Sequence, residues 1–236
     1  MSSEKEHLDR IASHPLYAAG PSAAMVAYTF EVFARHYRSG PILEVGPAEG
    51  VMTELLAQVQ PELSIVEGSE IFCADLRRRF PQAAVHCSLV EDFTTERRFQ
   101  AIVLSHVLEH VLEPVPVLRS LGSLLAPGGF IFLAVPNSRS IHRQAGVLLG
   151  QLEFEESMSP LDHAHGHRRV YNPETLRHDI RRAGLQLGHF GGFWLKAYAN
   201  AQIQTLTRAE DLRAYFRLGE RYPDIAAELY AIVQQP

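Results

Sequence analysis

The chain has 236 residues, of which 46% are hydrophobic and 21% charged, and its formal net charge is −5. This composition is typical of a globular protein with one sizeable core, and the acidic balance disfavours nucleic acid and anionic membranes as partners. The two cysteines are too few for a disulfide framework and lack metal-ligand spacing. The sequence shows no signal peptide, and no apolar run approaches the roughly 20 residues of a membrane span. We therefore expect a cytoplasmic protein.

Apolar runs alternate with helix-forming segments along most of the chain. Residues 1–40 are predicted to be helical, and Gly40-Pro41 ends that region. Beyond it the pattern predicts five short strands and three helices: strands at 41–46, 64–67, 84–88, 101–105 and 130–135, and helices at 51–58, 70–80 and 114–125. Strands that alternate with helices indicate parallel βαβ units and a sheet covered on both faces.

The pattern changes after the fifth predicted strand. Residues 137–172 are irregular and rich in His, Ser and Arg, and the next segment, 173–183, is a helix that Asn172 can cap. The apolar segments 185–190 and 193–198 are joined by two glycines only, which predicts an antiparallel hairpin. Helices are expected again over residues 207–233.

These elements predict an α/β fold with a doubly wound, mostly parallel seven-stranded sheet whose last strand is antiparallel. We divide the chain into an N-terminal helical lid at 1–40, an α/β domain at 41–198, and C-terminal helices at 199–236. The irregular segment 137–172 is interpreted as a lid insertion within the α/β domain.

A glycine-containing turn follows the first predicted strand. Its sequence is Glu44-Val45-Gly46-Pro47-Ala48-Glu49-Gly50, and small residues at such a turn let the backbone approach a ligand. A phosphate site would use three glycines, and Glu49 would repel an anion. The segment resembles the first motif of class I methyltransferases, whose donor, S-adenosylmethionine (SAM), has no phosphate. The resemblance implies that Glu44, Gly46, Pro47, Ala48 and Gly50 surround SAM, with Glu44 at its amine.

Two further segments resemble SAM-binding motifs of the same family. Glu67 ends the second predicted strand, where an acid can accept hydrogen bonds from both ribose hydroxyls, and Gly68 and Ser69 follow it. The segment after the third strand resembles the adenine-binding segment. Its alignment leaves open whether the backbone of Leu89 and Val90 or the side chain of Asp92 contacts the adenine edge.

The fourth predicted strand runs into Ser105-His106-Val107-Leu108-Glu109-His110-Val111. This segment is similar to one in small-molecule methyltransferases of the ubiquinone-type and sugar-modifying groups. Leu125–Gly129 and Val135-Pro136-Asn137 extend the resemblance, which covers residues 41–198 and implies a Rossmann-like fold. Because strand ends face the ligand crevice in such sheets, Ser105 and His106 are expected near the methionine part of SAM.

Four residues are candidates for catalysis. His106 is the first candidate for a general base and His110 the second, because a histidine can take a proton near neutral pH. Asn137 and Tyr171 could orient a reacting group. Tyr171, and Tyr17 in the N-terminal lid, could also stabilise the sulfonium of SAM by cation–π attraction, or could simply pack in the core.

The lid insertion contains a run of histidines and arginines. His163, His165 and His167 alternate, which invites a metal interpretation, but a polar lid is favoured and we expect no metal site. In that lid Arg168 or Arg169 either faces a carboxylate or is merely solvated.

The predicted function is transfer of the SAM methyl group to an oxygen or nitrogen of a small molecule, in line and in a closed pocket. Two alternatives are considered. In the first, the SAM amine attacks its own γ-carbon, which gives azetidine-2-carboxylate and methylthioadenosine. In the second, the protein binds SAM without catalysis. The expected cofactor is SAM, the partner is a small molecule, and the protein is a monomer or homodimer.

Overall fold

The computed structural model describes Leu8 and residues 19–236. In this part of the chain one sheet of seven strands has the order β3-β2-β1-β4-β5-β7-β6. The strands are β1 Ile42–Val45, β2 Ser64–Glu67, β3 Ala84–Cys87, β4 Phe99–Ser105, β5 Leu125–Pro136, β6 Gln186–Phe193 and β7 Glu228–Gln234. Strands β1 to β5 pair in parallel, whereas β7 is antiparallel to both β5 and β6. The predicted mostly parallel sheet with an antiparallel last strand is confirmed.

Helices cover both faces of this sheet. They are α1 Gly20–Ala34, α2 Val51–Val59, α3 Glu70–Arg79, α4 Pro114–Ser123, α5 Ile141–Leu148, α6 Pro160–Ala164, α7 Pro173–Arg182, α8 Asn200–Leu206 and α9 Ala209–Gly219. On one face α4 and α7 contribute Leu118 and Leu176 to the core. On the other face α1, α2 and α9 contribute Phe33, Leu56 and Phe216. Because both faces are covered, the central strands β1, β2 and β4 are buried along almost their whole length rather than alternating, whereas the edge strand β3 is not.

The predicted hairpin at 185–198 is wrong. The chain continues straight through Gly191 and Gly192 as the single strand β6. A Cβ on Gly191 would lie 2.5 Å from the ring of Tyr230, and one on Gly192 would lie 2.7 Å from the backbone oxygen of Pro223. These glycines therefore admit neighbouring parts of the chain to the strand and do not form a turn.

The predicted helices over residues 207–233 are correct only in their first part. Helix α9 ends at Gly219, and Glu228–Gln234 forms β7, which inserts between β5 and β6. All but its last residue are buried. A short apolar run is compatible with a buried helix or a buried strand. Here it forms a strand, because the edges of β5 and β6 on either side of it pair with its backbone N–H and C=O groups.

The lid insertion is more regular than predicted, since it contains α5 and α6. The Ser159 side chain accepts a hydrogen bond from the Asp162 amide at 3.1 Å and so caps α6. Arg143 of α5 donates to Asp162 at 3.0 Å, which joins the two helices. Among the described residues no helix is long and apolar enough to cross a membrane.

Candidate functional site

A cleft opens at the carboxyl ends of β1, β2 and β4, the edge where open α/β sheets bind ligands. Twelve of the residues predicted to bind SAM or to react line it together: Glu44, Gly46, Pro47, Ala48, Glu67, Gly68, Ser69, Leu89, Val90, Ser105, His106 and His110. Segments that are distant in the sequence meet here because the parallel strands end at one edge of the sheet.

Glu67 joins the two loops at the bottom of the cleft. One carboxylate oxygen accepts from the Ser69 amide at 2.8 Å and the other from the Ala48 amide at 3.1 Å. Ala48 has a φ of 47°, in the left-handed region that favours glycine. The Glu67 carboxylate is thus held in a fixed position, 5% exposed, on the cleft wall.

Two glycines keep the cleft open. A Cβ on Gly46 would lie 2.8 Å from Val107 Cγ2, and the φ of Gly46 is +63°. A Cβ on Gly68 would lie 2.5 Å from Leu8 Cδ1 and 3.1 Å from Leu89 Cδ2. A side chain at either position would collide with Val107, Leu8 or Leu89, which line the cleft, and would displace them.

Glu44 is a buried acid that its surroundings leave incompletely satisfied. It is 2% exposed, and its Oε2 has no hydrogen-bond partner among the described residues. Burial raises the pKa of Glu44 to about 8, the nearby Thr53 hydroxyl lowers it, and the Glu67 carboxylate raises it further. A cationic donor in the cleft would supply the missing partner, so this residue suits the ammonium group of SAM.

Two predicted SAM contacts, Gly50 and Asp92, are not among the cleft residues. Gly50 stands at the N-cap of α2 with a φ of 72°, and a Cβ there would lie 2.9 Å from Leu76. Asp92 is exposed on a short 3₁₀ helix, whereas its neighbour Glu91 lines the cleft. Tyr17 lies outside the described residues. Gly50 thus packs against Leu76, and of the adenine segment Leu89 and Val90 line the cleft; which of these residues contact SAM stays a prediction.

Asn137 and Tyr171 are buried beside the site and do not line the cleft. The Asn137 amide donates to the carbonyls of Asp224 at 3.0 Å and Ala226 at 2.8 Å. The Tyr171 hydroxyl donates to Asp179 at 3.1 Å. These contacts occupy the polar groups that were predicted to orient a substrate, and a role of either residue in catalysis stays a prediction.

Sequence reasoning missed several cleft residues: Leu8, Phe72, Ser88, Glu91 and His165. Phe72 lies in the first turn of α3, three residues after Ser69, where a helical pattern alone assigns an aromatic residue to the core. His165 comes from the lid insertion, whose position over the cleft depends on tertiary packing. For Ser88 and Glu91, closer attention to the neighbours of Leu89 would have been a usable signal.

His106 is buried in the cleft wall between two carboxylates. Its Nδ1 is 3.3 Å from Glu109 Oε1, and its Nε2 is 3.5 Å from Glu228 Oε2 and 3.1 Å from Met25 Sδ. Burial alone would lower the pKa of His106, but the carboxylates of Glu228 and Glu109 outweigh burial and raise it. The φ of 56° at His106 is unusual for a residue other than glycine and marks a constrained position.

The arginines of the lid insertion do not face the cleft. Arg169 donates to the carbonyls of Leu108 and Leu112, both at 2.9 Å, and Arg168 Nε donates to the carbonyl of His110 at 2.7 Å. The guanidinium of Arg169 is therefore used by backbone carbonyls, and the expectation that Arg168 or Arg169 faces a ligand carboxylate stays a prediction. Both residues tie the lid insertion to the turn that follows β4.

The fold and site together define a class of protein. A seven-stranded sheet with an antiparallel β7, a small-residue loop after β1 and an acid at the end of β2 characterise class I SAM-dependent methyltransferases. Residues 22–189 match a family model described as a methyltransferase domain, which is more than half of the chain. The chain belongs to this family, and SAM is its cofactor.

Curated relatives and solved structures agree with this assignment. The ubiquinone biosynthesis O-methyltransferase of Xanthomonas axonopodis pv. citri (strain 306) is 27% identical over 178 residues, which cover 72% of this chain and 73% of the relative. The protein of the same name from Methylocella silvestris is 27% identical over 204 residues, with 75% and 78% covered. The N-methyltransferase NodS from Bradyrhizobium japonicum WM9, solved with S-adenosylhomocysteine, shares the fold at a TM-score of 0.64 and 14% identity, with 98% of each chain covered.

Proposed function

We propose that this protein transfers the SAM methyl group to an oxygen or nitrogen of a small molecule, with His106 as the general base. The observation that carries the proposal is the buried imidazole of His106 in the cleft wall between Glu109 and Glu228. Both carboxylates only accept hydrogen bonds, and Glu109, at 3.3 Å the nearer of the two, would hold the hydrogen of the neutral ring on Nδ1, so that Nε2 can take a proton. Both carboxylates would stabilise the imidazolium that forms when His106 takes a proton.

Donor binding is assigned to the two acids at the ends of β1 and β2. Glu67 lines the cleft at the end of β2, where it would accept hydrogen bonds from the ribose hydroxyls. Glu44 would pair with the amine through its Oε2, which has no partner among the described residues. Leu89 and Val90 would contact the adenine with side chains and backbone. When bound, SAM supplies a methyl group on a positive sulfur, and the protein contributes position and exclusion of water.

A small acceptor is supported by two observations. Leu8 and His165 line the cleft from segments outside the sheet, and so they narrow access to it. The relatives that match most of the chain are named for O-methylation in ubiquinone biosynthesis. The comparisons favour methyl transfer over SAM cyclisation and over non-catalytic binding. Cytoplasmic location and a monomeric or homodimeric state remain predictions.

The proposal is tested by following products from SAM by mass spectrometry. We expect S-adenosylhomocysteine and an equal amount of methylated product with one or more members of a panel of catechols, phenols and primary amines. Without an acceptor, turnover should be negligible. Enzyme-dependent formation of methylthioadenosine without any acceptor would contradict the proposal and favour cyclisation.

Binding of SAM should release a proton through Glu44. Because the pKa of Glu44 is raised to about 8, its carboxyl is mostly protonated at pH 7, and pairing with an ammonium favours the ionised form. Affinity should therefore rise as the pH increases from 6 toward about 8. Calorimetry in buffers of different ionisation enthalpy measures the proton release. Glu44→Gln should abolish it and exposed Glu62→Gln should not; equal proton release in both variants would exclude Glu44 as its source.

The lid insertion should become more protected when SAM binds. His165 of the insertion lines the cleft. Within the insertion Arg143 donates to Asp162, and Arg169 donates to the carbonyl of Leu108 in the turn after β4. Ligand in the cleft would therefore stabilise the insertion as a whole. Hydrogen exchange is expected to slow over residues 160–169 with SAM and to stay unchanged in α9, which serves as the internal control. Equal exchange in 160–169 with and without SAM would rule out closure.

A further inference from the structure

Three potential metal ligands converge beside the cleft. The group consists of Glu109, His110 and His167, and each residue offers one ligand atom. The three atoms lie within 4.8 Å of one another. Glu109 and His110 come from the turn after β4, and His167 from the lid insertion. Glu109 is fully buried, and among the described residues its Oε2 accepts no hydrogen bond. Its other oxygen, Oε1, lies 3.3 Å from Nδ1 of the His106 ring. A buried carboxylate with unused acceptor capacity indicates a missing partner.

The hydrogen bonds of the two histidines orient them toward that carboxylate. His110 Nδ1 is 3.3 Å from the Gly166 carbonyl, and His167 Nδ1 is 3.1 Å from Asp162 Oδ1. Both partners are acceptors, so each ring carries its hydrogen on Nδ1 and has a lone pair on Nε2. A histidine that binds a metal generally donates its other ring N–H to a carbonyl or a carboxylate in this way. Asp162 is itself fixed by Arg143 at 3.0 Å.

We propose that Glu109, His110 and His167 bind one divalent transition-metal ion at the edge of the SAM cleft. Two imidazoles and one carboxylate suit zinc and its neighbours in the first transition row better than magnesium or calcium. Zinc–ligand distances are about 2.0–2.2 Å, so shifts of about 1 Å would close the three side chains around an ion. Chain segments that are more than 50 residues apart would then be joined by the ion.

The position of the ion suggests what it would do. Three protein ligands leave at least one coordination position for another molecule. Because His110 lines the cleft, an ion bound to it would lie at the edge of the space that an acceptor would occupy. The ion would there bind a hydroxyl of the acceptor, which makes oxygen acceptors the favoured substrate class. The binding of an acceptor hydroxyl by the ion rests on the proposed function, whereas the metal site itself does not.

The metal site is tested on the full chain after removal of metals with a chelator. Zn²⁺ binding is measured by calorimetry with a competing chelator, and Co²⁺ binding by its visible absorption spectrum. We expect one ion per wild-type chain, bound through nitrogen and oxygen ligands. Glu109→Gln and His167→Ala should each weaken binding at least about tenfold. His163→Ala, which alters an exposed histidine of the same segment, should leave it unchanged.

Affinity for S-adenosylhomocysteine and the unfolding temperature of each variant show whether it is folded. Glu109→Gln preserves the shape of the buried side chain, which makes it the reference variant if His167→Ala does not fold. Zinc affinity that is the same in the wild type, in Glu109→Gln and in His163→Ala would overturn the proposal, as would the absence of zinc and cobalt binding by the wild type. Metal binding without methyl transfer would leave the site standing and refute the proposed function only.

Discussion

Replacing His106 by asparagine should lower the turnover number by about 10²–10⁴-fold, the usual contribution of a general base, with little change in SAM affinity. The imidazole is the group in the cleft that Glu109 and Glu228 hold at 3.3 and 3.5 Å. Asparagine keeps an N–H donor that can face Glu109, as Nδ1 of the imidazole does, and it tolerates the φ of 56° at this position. The substitution therefore removes the base while it preserves the backbone.

Steady-state kinetics with a saturating acceptor checks this result, and calorimetry with S-adenosylhomocysteine checks the donor site. The matched control is His178→Asn, which alters an exposed histidine on α7 and should leave turnover unchanged. Glu228→Gln should lower turnover less than His106→Asn does, because it weakens the support of the imidazolium without removing the base. Turnover within a few-fold of wild type in His106→Asn would exclude this residue as the base.

Replacing Glu67 by alanine should weaken SAM binding by about 1–3 kcal/mol, or about five- to 150-fold in Kd. The carboxylate is expected to accept hydrogen bonds from two ribose hydroxyls. It also accepts hydrogen bonds from the backbone amides of Ala48 and Ser69, at 3.1 and 2.8 Å. Its loss therefore removes ligand contacts and loosens the loop around them. Glu67→Gln keeps the side-chain shape and one acceptor oxygen, so we expect an intermediate effect.

Calorimetry with SAM and with S-adenosylhomocysteine measures both variants. Glu62→Ala, an exposed acid just before β2, is the control and should bind as the wild type does. Thermal unfolding in the absence of ligand separates a loss of affinity from a loss of structure. A folded Glu67→Ala protein with wild-type affinity would show that the ribose is held elsewhere.

Much of the α/β architecture was predictable because it is encoded locally. The bounds predicted for β2 are those observed, and the bounds of α2, α3, α4 and α7 agree within two residues. A strand of four to seven apolar residues followed by a helix is recognisable without tertiary information. The same holds for Glu44, Gly46 and Glu67, which stand at strand ends where the topology of a parallel sheet requires the ligand to bind.

Errors arose where a local pattern allowed two outcomes. Gly191 and Gly192 are compatible with a turn or with close packing of a neighbour, and the Tyr230 ring over Gly191 decides for packing. Asn137 and Tyr171 are polar residues near the expected site, but only the folded chain shows that backbone carbonyls and Asp179 use their polar groups. Polar side chains near a site cannot be sorted into ligand contacts and scaffold by sequence.

By itself, therefore, the sequence determined the fold class, and its resemblance to methyltransferase motifs identified SAM as the donor. The fold class was accessible because strand length, helix period and turn chemistry depend on residues close together in the chain. The contacts predicted around the donor stay predictions. Only the tertiary structure decided that Glu228 enters the sheet beside β5 and faces His106, and that His167 meets Glu109 and His110. These contacts join segments separated by more than 50 residues, and such pairings depend on the packing of the whole chain rather than on any local pattern.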